Sequence, residues 1–147
     1  MQTCDVLIIG AGIAGSSLAW RLARNGQAVL LLERESQPGM HSTGRSAAMF
    51  MESYGPPGVR ALTRASRAFY LNPPAGFADQ PLLHPRHALF VATPAQRSAL
   101  AALRDELAAT GTALKLLNAE QLAQAALALK PDLFEQAMLD VDGYDIE

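Results

Sequence analysis

Apolar and polar positions alternate poorly along the first thirty residues, and that irregularity is informative. Cys4-Asp5-Val6-Leu7-Ile8-Ile9 ends in an unbroken apolar run, and Ala28-Val29-Leu30-Leu31-Leu32 is another. Short runs without a polar face are typical of strands in parallel sheets, which are covered on both sides. Between them, Ile13 to Arg24 has helical spacing and stops at Asn25-Gly26, a left-handed helix cap. Strand, glycine-rich turn, helix and strand within about 30 residues make one right-handed βαβ unit.

The pattern then loosens. From Arg34 to Gly58 no period is visible among Gly, Pro, Ser and Met, and a loop of that length in a compact domain has a function or stays disordered. Val59 to Leu71 predicts a helix with Leu62, Ala65, Ser66 and Phe69 on one face. Arg60, Arg64 and Arg67 lie on another, read as a solvated stripe. Asn72-Pro73-Pro74-Ala75-Gly76 ends it. His87 to Ala92 predicts a strand, and Thr93-Pro94-Ala95-Gln96 a capping box that opens a helix running to Thr110. Thr112 to Leu117 predicts a strand, Asn118 caps a helix that ends before Lys130-Pro131, and Phe134 to Asp140 predicts a strand leading into Asp142-Gly143.

Composition narrows the class. The 147 residues are 50% hydrophobic and 18% charged, which describes a globular chain rather than a disordered one. A net charge of −2 gives no general attraction to nucleic acid or an anionic membrane. The single cysteine, Cys4, cannot close an internal disulfide. The run Val6–Ala14 follows Asp5 rather than a basic residue and is broken by glycines, so it does not read as a signal peptide. No run approaches the roughly 18 apolar residues of a membrane span, and the cytoplasm is the expected location.

The glycines carry the first chemistry. Gly10, Gly12 and Gly15 form a G-x-G-x-x-G turn between the first strand and its helix. Gly10 permits the sharp exit from the strand, Gly12 lets a pyrophosphate lie against bare backbone, and Gly15 lets helix and sheet approach. The first helical residues, Ile13 and Ala14, present unpaired N–H groups and the positive end of the helix dipole to phosphate. Glu33 closes the second strand, where a carboxylate accepts hydrogen bonds from a ribose and repels the 2′-phosphate of NADP. These features predict a dinucleotide site; they do not separate NAD from FAD.

The residues that follow do so by likeness. Glu33-Arg34-Glu35, Gly39-Met40-His41-Ser42-Thr43-Gly44-Arg45-Ser46-Ala47-Ala48, Tyr54-Gly55, Val59-Arg60-Ala61-Leu62-Thr63 and Asn72-Pro73-Pro74-Ala75-Gly76-Phe77 resemble the FAD-dependent amino acid oxidase and dehydrogenase family, within the D-amino acid oxidase superfamily. The likeness is greatest to its D-arginine dehydrogenase-like branch. It covers nearly all of this chain but only the N-terminal part of such an enzyme. The resemblance implies FAD as cofactor, with Arg34 flanking the adenine and Ser42, Thr43, Arg45, Ser46, Ala47 and Ala48 lining the flavin and diphosphate. It also places Tyr54 at the substrate pocket, as a substrate contact or a lid.

The expected fold is therefore α/β: a Rossmann-like FAD/NAD(P)-binding βαβ unit in residues 1–82, then the beginning of an α+β substrate-binding domain in residues 83–147. The expected activity is oxidation of the C–N bond of an amino acid, of D configuration, or of a related amine, by hydride transfer to flavin. The strand His87-Ala88-Leu89-Phe90 carries no carboxylate to pair with a cationic substrate, so an apolar or small amino acid is as open as an arginine-like one. His41, His84 and His87 lack metal-ligand spacing and no metal is expected; His41 is also a candidate flavin neighbour. Ser42 and Ser46 lie outside any Gly-x-Ser-x-Gly elbow, against a hydrolase. Two other readings stay open: an NAD-dependent dehydrogenase or reductase, and a noncatalytic nucleotide-binding fragment that needs a partner chain. A C-terminal segment or partner chain is expected to complete the fold.

Overall fold

The computed structural model describes residues 3–130, 133–134 and 136–147. They form two compact units, Met1–Ala47 and Ala48–Glu147.

In the first unit, β1 (Val6–Ile9) and β2 (Val29–Leu32) pair in parallel, Val6 opposite Val29 and Ile9 opposite Leu32, with α1 (Ile13–Arg24) crossing between them. Gly10 N–H extends the ladder to Leu32 O at 2.7 Å. Helix α1 lies over Ile8, which is buried, whereas Leu7 and Ile9 on the other face of β1 are 52% and 83% exposed. Close approach of helix and strand depends on Gly15, where an added Cβ would stand 1.9 Å from Gly10 O and 3.3 Å from Ile8 Cγ2. The far end closes as expected: Gly26, at φ +83°, donates to Ala23 O at 3.0 Å, and Gln27 donates to Leu22 O at 3.2 Å. That bond pair is a Schellman cap, which satisfies carbonyls the helix leaves free.

The second unit holds two antiparallel sheets. One has the order β5-β7-β6, built from β5 (Ala88–Ala92), β6 (Leu114–Leu117) and β7 (Gln136–Asp140). Alternate residues of its strands feed opposite cores, as a pleat of period two requires. Phe90, Ala92 and Met138 pack with Leu100 and Leu107 of α3 (Arg97–Ala109). Leu89, Val91 and Ala137 pack with Leu122 of α4 (Ala119–Ala125). The second sheet, order β3-β8-β4, joins β3 (Met49–Phe50), β4 (Leu83–Pro85) and β8 (Tyr144–Ile146).

The stretch read as one loop from Arg34 to Gly58 contains a 3-10 turn at Thr43–Arg45 and strand β3. Helix α4 stops at Ala125, where Ala126 leaves helical geometry at φ −141° and joins the core with Leu129. The Pro131 invoked as its stop lies outside the described residues. The strand expected from Phe134 is described from Gln136, and Glu135 is outside the described residues. In α2 (Pro57–Leu71) the arginine stripe is paired with acidic side chains rather than left to water alone. Arg60 is buried and pairs with Glu106 of α3. Arg64 and Arg67 both reach Glu52, at 3.2 and 3.0 Å, and Arg67 also donates to the Tyr144 hydroxyl at 3.1 Å. Leu62, on the face shared with Ala65, Ser66 and Phe69, is 72% exposed. Acidic partners distant in sequence turn the charged face toward protein.

Among the described residues no helix is long and apolar enough to cross a membrane. The contact at Gly15 yields a test. Gly15→Ala should destabilise the chain by about 1–3 kcal/mol, the usual cost of overpacking. Gly58→Ala, at a helical position with nothing within 4 Å of the added Cβ, should be neutral or slightly stabilising. Urea unfolding followed by circular dichroism measures both; equal stabilities would contradict this account of Gly15.

Candidate functional site

The site in the first unit is assembled at the C-terminal ends of β1 and β2. Gly10, at φ +96°, turns the chain out of β1, and Gly12 is the N-cap of α1 with no capping side chain of its own. The first intrahelical bond runs from Ser16 N to Gly12 O at 2.9 Å, so the amides of Ile13, Ala14 and Gly15 precede the helical ladder. One of them is supplied from far along the chain: Ile13 N–H donates to Thr43 Oγ1 at 3.0 Å. A Cβ at Gly12 would come within 3.1 Å of that same hydroxyl oxygen. The bare backbone at Gly12 thus lets Thr43 share the helix N-terminus.

Glu33 does more than end a strand. Its Oε2 accepts Ala11 N–H at 2.7 Å, across to the glycine turn. Its Oε1 accepts Arg34 N–H at 2.7 Å and Glu35 N–H at 3.0 Å. The N–H of Glu35, then that of Ala11, hold the Glu33 carboxyl below its ordinary range; desolvation opposes them, and Arg34 N–H and the nearby His41 add to the lowering. A carboxylate offers about four lone-pair sites, so after these three bonds one remains for a ligand hydroxyl.

Beside Glu33 lies an open pocket of about 440 Å³ lined by Ile9, Gly10, Leu32, Glu33, Arg34, Glu35 and His41. Glu35 Oε1 receives Arg34 Nη2 at 2.8 Å and pairs with His41 Nε2 at 2.9 Å. Hydrogen bonds from His41 and then Arg34 hold the Glu35 carboxyl below its ordinary range.

The structure brings Gly10, Gly12, Ile13, Ala14, Gly15, Glu33, Arg34 and Thr43 together in one unit. Ser42, Arg45, Ser46 and Ala47 lie on the exposed 3-10 turn that carries Thr43 and the residues just after it. Ala48 opens the second unit, at φ +50°, with its carbonyl accepting Ile146 N–H at 2.6 Å. Tyr54 also belongs to the second unit and is 69% exposed. Its neighbours are anchored: Ser53 Oγ donates to the buried Asp140 carboxylate, and Glu52 receives Arg64 and Arg67. Sequence reasoning missed the Ser53–Asp140 and Glu35–His41 pairs, because no spacing rule links residues across an irregular loop. Among the described residues no group of three or more His, Cys, Asp or Glu could hold a metal.

A glycine turn at a helix N-terminus, with a carboxylate closing the adjacent parallel strand, defines a dinucleotide-binding protein. The residues fit such a ligand, since the cradle at Gly12 has no side chain and the first-turn amides are donors. A family model described as FAD dependent oxidoreductase matches residues 5–146. The chain belongs to that family, whose cofactor is FAD. It is 64% identical over 36 residues to a probable electron transfer flavoprotein-quinone oxidoreductase of Escherichia coli (strain K12), covering 24% of this chain and 8% of that protein. In fold it is similar to a glycine oxidase from Bacillus cereus ATCC 14579, with TM-score 0.81 and 21% identity over 98% of this chain and 40% of that one. It is also similar to an L-alpha-glycerophosphate oxidase from Mycoplasma pneumoniae with FAD bound, with TM-score 0.84 and 19% identity over 99% of this chain and 39% of that one. The chain thus spans about two fifths of the length of these solved relatives.

The lowered Glu33 carboxyl sets a pH signature. A group whose folded value is depressed stabilises the fold above its unfolded value, here the ordinary 4.5, and loses that contribution as pH falls through the folded value. Glu33→Gln should therefore melt below wild type at neutral pH, and the gap should close only below pH 4.5. A gap already closed at about pH 6, well above any carboxylate range, would contradict the bonding described for Glu33.

Proposed function

We propose that this chain is the N-terminal portion of an FAD-dependent oxidoreductase that oxidises the C–N bond of an amino acid, of D configuration, or of a related amine, by hydride transfer to flavin. The observation that carries the reading is the Glu33 carboxylate bonded to the glycine turn at Ala11 N–H, which sets a ribose acceptor beside a phosphate cradle.

In this reading the first-turn amides of Ala14 and Gly15 and the helix dipole hold the diphosphate, and Ile13 N–H contributes through the hydroxyl of Thr43. Thr43 Oγ1 keeps accepting Ile13 N–H and turns its own O–H toward a phosphate oxygen. Glu33 accepts a ribose hydroxyl with its remaining lone pair, and Arg34 flanks the adenine. Ser42, Arg45, Ser46, Ala47 and Ala48 line the diphosphate and flavin: Arg45 pairs with phosphate oxygens, and small side chains let the backbone approach the ring. Bound FAD would supply the hydride acceptor, while the protein contributes binding and orientation. Tyr54 is the candidate substrate contact or lid, and its anchored neighbours would fix where its ring stands.

The same reading assigns residues 1–82 to the FAD-binding part and residues 83–147 to the start of the substrate-binding domain, with a C-terminal segment or partner chain completing the site. Amino acid substrates are supported by structural neighbours named glycine oxidase and L-amino acid deaminase. The lone cysteine supports a reducing, cytoplasmic setting.

Two measurements test the proposal. The whole enzyme should be yellow when purified and release FAD on denaturation; a colourless protein that takes up NAD and not FAD would remove the reading. Glu33→Ala should weaken FAD binding by about 10- to 150-fold, the equivalent of a charge-assisted hydrogen bond of roughly 1.5–3 kcal/mol. Unchanged affinity in a folded variant would show that Glu33 serves the turn alone.

A further inference from the structure

The pocket beyond β2 holds two side chains, Glu35 and His41, that the proposed function does not use, both tied to Arg34, which it does. His41 Nε2 lies 2.9 Å from Glu35 Oε1. The same oxygen accepts Arg34 Nε at 3.2 Å and Arg34 Nη2 at 2.8 Å. The Arg34 side chain is 85% exposed while that of Glu35 is 29% exposed. The guanidinium is thus held along one edge, and its flat face stays open to solvent.

From this arrangement we propose that His41 and Glu35 are positioning residues that fix Arg34 as the stacking wall for the adenine base. The inference rests on the dinucleotide reading above. A ribose hydroxyl on Glu33 places the base past the end of β2, where Arg34 follows directly in sequence and Ile9 and Leu32 offer exposed apolar surface. A planar guanidinium stacks on aromatic rings, and the gain is larger when the group need not be ordered on binding. Glu35 supplies that ordering by gripping two of the arginine's nitrogens. His41 in turn holds Glu35 from the other side of the loop, six residues on. Without His41, Glu35 and Arg34 would retain their contact but lose their fixed place over the pocket.

The experiment uses the whole FAD-binding protein, stripped of cofactor, with FAD, ADP and FMN titrated calorimetrically; FMN carries flavin and phosphate but no adenosine. His41→Ala and Glu35→Ala should each weaken ADP and FAD by about 3- to 10-fold, the size expected for a lost stacking contact and its ordering, and leave FMN unchanged. His41→Gln, whose amide N–H can still donate to Glu35, should stay close to wild type. A merely structural role would lower FMN binding together with ADP, or would show His41→Gln failing like His41→Ala, and either result would overturn the relay. Folded variants with unchanged ADP affinity would overturn it as well, with the FAD reading intact. Wild-type protein that binds neither FAD nor ADP would overturn the dinucleotide reading itself, and the relay with it.

Discussion

One hydrogen bond, from Ala11 N–H to the Glu33 carboxylate at 2.7 Å, ties the first unit together at the place where its chemistry is expected. Both partners stand just past paired strand ends, so the bond continues the β1–β2 ladder by side-chain means where backbone pairing stops. It fixes the glycine turn, which fixes the start of α1, which aims the first-turn amides. The same carboxylate caps the two N–H groups that follow β2, and so sets the direction in which Arg34 and Glu35 leave the strand. A single side chain therefore organises both walls of the site, and a hydroxyl-bearing ligand adds to a carboxylate already held in place.

Thr43 has a comparable place on the phosphate side. A helix N-terminus without a capping side chain leaves several donors unsatisfied, and here a hydroxyl from thirty residues on takes one of them. A Cβ at Gly12 would crowd that oxygen at 3.1 Å, so the bare position gives it room. The two glycines thus act differently: Gly15 admits the helix to the sheet, and Gly12 admits Thr43.

How much of this was legible in the sequence follows from how far apart the partners are. The βαβ unit, its glycine turn, the Asn25-Gly26 cap and the Thr93–Gln96 box rest on contacts within a few residues or on fixed spacings, and each was readable. Glu33 was readable as a strand-terminal acid, but its bond to Ala11 was not, because spacing predicts a ligand partner and says nothing of the turn. The arginines of α2 misled for a related reason: a charged stripe implies water unless acids meet it, and Glu52 and Glu106 come from other elements. Ser53 and Asp140 are 87 residues apart, so the anchoring beside Tyr54 emerges only when β7 is in place.

The most direct test of the central claim is to watch the backbone amides while the ligand binds. In ¹⁵N-labelled protein titrated with FAD, the amides of Ala11, Ile13, Ala14, Gly15, Arg34 and Glu35 should shift together with one affinity, while amides of β5, β6 and β7 stay still. Shifts confined to the second unit, or glycine-turn amides unmoved by saturating FAD, would contradict the account.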